Sequence, residues 1–306
     1  MKKEGKKDGG DRGKAPLTRV GFTHLPKVLY PEAGITKLQV VKYFITIAPR
    51  MLPFLEGRPA VLTRFPDGVG EKGFYEKDAP MGTPDWVETW DHWSETAERV
   101  VHFIVCNDLD TLLWIANLDA IEIHMILAPV KTPGHPDLLF IDLDPEPPAT
   151  TADAARIALL VRDRLAAQGI RIYVKTSGKR GFHLVVPLVP GLAYTEVRGF
   201  VHAMGRELAR ENALVASESP GPSNPGKVLV DYAQNSPGRT MVAPYSLRAT
   251  PRATVSAPVT WGEMEKGINP GDLHIQNVPG REDPWEGILR HRQKLPGGEK
   301  GRGKQG

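Results

Sequence analysis

The chain has 306 residues, 41% hydrophobic and 25% charged, with a formal net charge of +3; that is enough for a full core in one large domain or two small ones, and no apolar run approaches the roughly 20 residues that cross a bilayer. Its single cysteine, Cys106, excludes an intramolecular disulfide and any multi-cysteine zinc site. The positive charge sits at the ends: residues 1–14 hold six Lys/Arg against three Asp/Glu, and residues 294–306 four against one.

Gly- and Lys-rich tails over 1–16 and 294–306 are therefore expected to be disordered around one folded domain, 17–293. The N-terminal lysines precede no apolar segment, so a cytoplasmic location without membrane attachment is expected.

Residues 17–35 read as a short strand and turns. Thr36 then caps a helix expected to bury Leu38, Val41, Ile45 and Ala48 and to end near Pro53. "RPAVLTRFPDG" reads as a strand and turn. "RVVHFIVCNDLDTLLWIANLDAIEIHMILAP" divides into strand, short helix and strand, with Cys106 a small buried residue and Glu122 and His124 on one face of the last strand. "DLLFIDLDPEPP" is a buried strand ending in two acids. A helix from about Thr151 to Gln168, stopped by Gly169, leads into a hairpin with arms "IRIYVKT" and "FHLVVPL". A helix over about Glu196–Asn212, a Ser/Pro/Gly loop and the strand "VLVDYA" follow. Strands and helices mix without regular βαβ alternation, so the expected class is α+β with largely antiparallel or mixed sheets.

Asp142 and Asp144 share a strand face about 6.5–7 Å apart along the chain. They repel one another and resist desolvation, which favours water, a cationic side chain or a metal nearby. Such carboxylates suit two divalent ions, the arrangement that clamps attacking and leaving oxygens in phosphoryl transfer; two solvated aspartates in a surface turn are the alternative. Asp231, where a second apolar strand emerges, is the natural third acid. The hairpin is joined through Ser177-Gly178-Lys179-Arg180-Gly181. A glycine-containing loop lets backbone N–H groups converge on an anion, and Lys175, Ser177 and His183 add directed donors suited to a triphosphate; a plain turn would look similar. Gln234, Arg239 and Arg248 supply further donors. Carboxylates for ions beside cations for phosphates outline a nucleotidyl-transfer site.

"LPKVLYPEAGITKLQVVKYF", "FIDLDP", "KTSGKRGFHLVVPL" and "DYAQNSPGRTMVAPYSLRA", four motifs in the expected order, resemble the polymerase domain of bacterial ligase D, a member of the archaeo-eukaryotic primase superfamily, from about Leu17 to Trp261. The resemblance implies a primase-polymerase fold. It implies Asp142, Asp144 and Asp231 as metal ligands for two divalent cations (Mn²⁺ or Mg²⁺). Lys175, Ser177, Gly178, His183, His124, Gln234 and Arg248 become nucleotide-site residues. It further implies that Lys27 and Lys37 hold the 5′-phosphate of a downstream strand, and that Phe74-Tyr75 stack on template. On the residues alone, both lysines would be solvated and Phe74 would be core.

The implied activity extends a 3′-hydroxyl across gaps in broken DNA with NTPs or dNTPs, with a ribonucleotide preference and a link to Ku and a DNA ligase. Alternatives are a primase that starts strands de novo, a non-catalytic DNA-end-binding module and, more weakly, a metal-dependent nuclease. One cysteine cannot build the zinc element common in replicative primases. A ligase domain, usually fused in this family, has no room here and is expected on a separate protein. Lys6-Lys7-Asp8-Gly9 fits the K-x-D-G pattern of ligases, but in a polar tail it lacks the desolvated pocket that a reactive lysine needs.

Overall fold

The computed structural model describes residues 18–94, 98–218 and 224–296. The expected tails and Lys6-Lys7-Asp8-Gly9 lie outside the described residues, save for the stretch up to Pro296, where Leu295 is buried. Among the described residues no helix is long and apolar enough to cross a membrane.

A small hairpin, β1 (Val28–Tyr30) and β2 (Ile35–Thr36), leads into α1 (Lys37–Leu55). Thr36 and Gln39 cap that helix reciprocally, side chain to backbone in both directions. Its buried stripe is Val40, Val41, Phe44, Ile47, Ala48, Met51 and Phe54, whereas Leu38 and Ile45, expected inside, are 38% and 46% exposed. The helix is rotated so that its larger side chains, Tyr43, Phe44, Met51 and Phe54, fill the core, and that gain outweighs burying two isolated aliphatics.

The chain continues through β3 (Pro59–Arg64), β4 (Phe74–Glu76), β5 (Thr89–Ser94), β6 (Arg99–Val105), α2 (Leu109–Asn117) and β7 (Ala120–Ile126). Then come β8 (Leu138–Pro145), α3 (Thr151–Ala166), β9 (Tyr173–Thr176), β10 (Phe182–Pro187) and α4 (Tyr194–Glu211). Last are β11 (Val215–Ala216), β12 (Val228–Asp231), β13 (Thr240–Val242), β14 (Pro258–Val259) and α5 (Trp261–Glu265).

Two six-stranded sheets result. One runs β11-β12-β8-β10-β9-β14; the other runs β13-β7-β3-β6-β5, with β4 also paired to β3. All pairings between these strands are antiparallel except β11 with β12. The fold is thus the expected α+β class with antiparallel sheets. β8 is central in the first sheet, and Leu138 to Ile141 are buried on both of its faces, as a strand packed on both sides requires. One apolar cluster joins this strand to α1, α2, α3 and α4, and contains Cys106.

Candidate active site

The register of the first sheet sets one row of side chains across four strands. Asp231 on β12 stands opposite Asp142 on β8, Asp142 opposite His183 on β10, and His183 opposite Lys175 on β9. Directly opposed residues share a face, so these four project together where β8 leaves the core. Asp144, two residues along, lies on the same face and is exposed. Burial, then the neighbouring Asp231, pushes the Asp142 carboxyl up to about 7; Asp142, then burial, raises Asp144 to about 6. Asp142 Oδ1 is buried without a hydrogen-bond partner, 3.4 Å from His183 Nε2.

Anionic oxygens short of counter-charge are what a hard divalent cation satisfies, so the donor set fits Mg²⁺ or Mn²⁺. Among the described residues no three acidic or imidazole groups are gathered as a finished metal shell. Asp231 accepts from the Ala233 N–H and from Gln234 Nε2, each at 2.9 Å, which fixes its carboxylate beside Asp142.

Beside this row lies the cradle. Lys175 is 0% exposed, its Nζ donating to Ser256 Oγ at 2.5 Å and lying 2.6 Å from His183 Nδ1. Burial, then Arg248, lowers Lys175 well below the usual lysine range, and burial, then Lys175, lowers His183 likewise. Lys175 therefore supports His183 from beneath instead of reaching into the cleft. Ser177 Oγ accepts from the Lys179 and Gly181 N–H groups at 3.2 and 3.1 Å. These two loop donors converge on a hydroxyl, where the sequence suggested an anion. With both lone pairs engaged, the Ser177 O–H is left to donate outward.

Two glycines admit this loop. A Cβ at Gly181 would lie 2.2 Å from Leu143 O, and one at Gly178 (φ +74) 2.5 Å from Arg248 Cγ. Arg180 donates to Pro145 O at 2.6 Å, tying the loop to the end of the acidic strand.

Arg248 joins the two sheets. Its Nη1 donates to Ser177 O at 3.1 Å and its Nε to Glu122 Oε1 at 3.1 Å. Glu122 also accepts from the Ala249 N–H at 3.1 Å, with His124 Nε2 3.4 Å from its other oxygen and Lys179 Nζ at 3.9 Å. Burial alone would raise Glu122, but His124, Arg248 and the Ala249 N–H bring it down to about 2. Burial lowers His124 against the pull of Glu122. The sequence reading paired Glu122 with His124 on one face yet gave it no role; the signal was there in their spacing. Arg239 is exposed, its N–H bonded to Ser236 O.

A second constellation gathers at Asp119, the residue just before β7. Lys27 and Lys37 both meet Asp119: Lys27 Nζ is 3.0 Å from Oδ2 and Lys37 Nζ 3.0 Å from Oδ1. Lys37 is only 2% exposed, against the solvated lysine its sequence alone suggests. Phe74 and Tyr75, 43% and 50% exposed, stand on β4. Arg64 lies 5.1 Å from the Phe74 ring centre, and Tyr75 packs edge-on to His124 at 5.9 Å while its hydroxyl meets Thr240 Oγ1 at 3.1 Å. Tyr75 thus bridges the aromatic pair to the face carrying Glu122 and His124. Phe74 is surface, because β4 is a three-residue strand with no layer over it.

A family model described as "LigD, primase-polymerase domain" matches residues 36–286. The multifunctional non-homologous end joining DNA repair protein LigD of Mycobacterium tuberculosis is 35% identical over 264 residues, 83% of this chain and 34% of that protein. The bifunctional non-homologous end joining protein LigD of Bacillus subtilis is 31% identical over 284 residues, 91% of this chain and 45% of that protein. A solved structure, the polymerase domain from Mycobacterium tuberculosis ligase D in complex with DNA, aligns with a TM-score of 0.81 at 30% identity, covering 90% of this chain and 100% of that one. The chain spans less than half the length of these curated relatives.

Proposed function

The chain belongs to the LigD primase-polymerase domain family of non-homologous end joining, and from that premise we propose that it is a template-directed nucleotidyltransferase that extends 3′ ends and fills gaps at DNA breaks. The observation that carries this reading is the row Asp231, Asp142, His183, Lys175, set across four strands beside the Arg248–Ser177 cradle. Two divalent cations, Mn²⁺ or Mg²⁺, held by Asp142, Asp144 and Asp231, would supply the charge that lets a 3′-hydroxyl displace pyrophosphate from an incoming nucleotide.

The chain's own groups do the rest. The Ser177 O–H, the His183 imidazole and the Arg248 guanidinium donate to the triphosphate, with Lys175 holding His183 in place. Gln234 keeps Asp231 aimed at the strand end, and Gly178 leaves Arg248 room beside the loop. On the outer side, Lys27 and Lys37 receive the 5′-phosphate of the strand downstream of the gap. Phe74 and Tyr75 stack on the template there, since an aromatic face reads a base without regard to its sequence. Ribonucleotide preference and action alongside Ku and a DNA ligase belong to the same proposal.

The test is a 5′-phosphorylated gapped duplex offered with each NTP and dNTP in Mn²⁺. Templated extension by the wild type that is lost in Asp142→Ala, with gapped-DNA binding retained, supports the reading. No extension by the wild type favours a DNA-end-binding module instead.

A further inference from the structure

The turn after α2 puts a carboxylate between the two lysines of the outer site. Asp119 has φ +59, a left-handed conformation in which Asn and Asp are tolerated. Its backbone is pinned on both sides: its N–H donates to Ala116 O at 3.1 Å and its carbonyl accepts from the Phe65 N–H at 2.9 Å. From that fixed point one oxygen meets Lys27 Nζ and the other Lys37 Nζ, each at 3.0 Å. Lys37 directs its hydrogen bond elsewhere, to Asn117 O at 2.5 Å, and Asp119 Oδ1 is buried without a hydrogen bond of its own. The contact to Lys37 is thus one of charge without a well-angled bond, and an acceptor with better geometry can replace it.

Resting on the reading of Lys27 and Lys37 as a phosphate seat, we propose that Asp119 is the resident anion of that seat: it neutralises the lysine pair in the free protein and sets how tightly a terminal phosphate is held. A phosphate within hydrogen-bond reach of both ammonium groups lies close to the carboxylate, and like charges at that range repel. Two ammoniums and one carboxylate leave a net single positive charge; without the carboxylate charge the pair carries two. A terminal phosphate bears nearly two negative charges near neutral pH, where an internal phosphodiester bears one. Loss of the Asp119 charge therefore favours the terminal phosphate more than the diester backbone.

The same turn reaches the aromatic pair. Leu118 O accepts from Arg64 Nε at 2.8 Å, and Arg64 is the residue beneath Phe74. Phosphate seat and stacking platform thus share one short piece of backbone.

Asp119→Asn keeps the side-chain shape and tolerates the same φ. The experiment titrates single-nucleotide-gapped duplexes bearing a 5′-phosphate or a 5′-hydroxyl, by fluorescence anisotropy at one salt concentration. Asp119→Asn is expected to bind the 5′-phosphorylated duplex at least fivefold more tightly than wild type and the 5′-hydroxyl duplex less than twofold more tightly. Its melting temperature without DNA should fall, because buried Lys37 loses its counter-charge, and the gain on adding phosphorylated DNA should exceed that of wild type. Should that variant fold poorly, Asp119→Gly accepts the left-handed backbone and gives the same comparison. A discriminating wild type with unchanged or weaker phosphate binding in both variants overturns the inference alone. A wild type that binds both duplexes equally overturns the phosphate seat and the inference with it.

Discussion

Asp142 faces Asp231 directly across the β8–β12 ladder, with His183 as its neighbour on the opposite side. Two carboxylates cross-strand are destabilising unless a cation lies between them. Asp142→Asn should therefore raise the melting temperature of metal-free protein at pH 8 by a few degrees and remove the further gain that Mn²⁺ gives the wild type. Thermal unfolding with and without chelator reads both. A wild type indifferent to Mn²⁺ would count against Asp142 as a ligand.

Glu122 gives a pH signature of its own. Its folded value of about 2 lies below the ordinary 4.5, so the ionised form stabilises the fold fully above about pH 4.5, and that contribution is lost as pH falls toward 2. At 1.36 kcal/mol per unit the shift corresponds to about 3 kcal/mol. Glu122→Gln should cost about 2–3 kcal/mol at pH 7 and progressively less in acid. Urea denaturation at pH 7 and pH 3 measures this, and an equal cost at both would show that the charge is not what matters.

Gly181 tests the loop. An added Cβ would meet the Leu143 carbonyl, which is backbone and cannot swing aside. Gly181→Ala is expected to cost about 1–3 kcal/mol, the usual range for overpacking, and to reduce extension at least tenfold, since the strain falls between Ser177 and the acidic strand. Gly134→Ala, where a Cβ meets nothing within 4 Å, is the matched control and should extend normally.

For the outer site, Lys27→Ala combined with Lys37→Ala should erase any preference for a 5′-phosphate over a 5′-hydroxyl. The slope of log affinity against log salt should become shallower by roughly one unit or slightly less per lost phosphate contact. Nucleotide affinity, measured separately without DNA, should hold within about twofold. A preference that survives the double substitution would place the phosphate elsewhere.

Much of this was legible in the residues. The apolar run before Asp142 marks a strand by itself, and the alternation rule then puts Asp144 on the same face. That Asp231 pairs with Asp142 is a matter of register between distant strands, which no local pattern encodes. Lys175 read as a cleft donor because its strand position was right; its depth comes from β14 and Ser256 closing over it. Leu38 and Ile45 misled because an aliphatic at helical spacing looks internal until bulkier neighbours on the adjoining stripe compete for the same core. Asp119 escaped notice and Glu122 was noticed without a role for one reason: the cations that give each acid its meaning, Lys27 and Lys37 for Asp119 and Arg248 for Glu122, come from other segments of the chain.

The acidic strand β8 receives both of its neighbours late. β10 follows it after a whole helix, and β12 only after a second helix. A ribosome releases the chain in order, so a nascent molecule ending before Val228 has β10 on one edge of β8 but no strand on the other, where Asp231 would face Asp142, and that free edge stays open to unrelated strands. The row of Asp231, Asp142 and His183 is thus completed only once β12 has emerged, and truncation products that stop short of β12 are the ones that expose this edge.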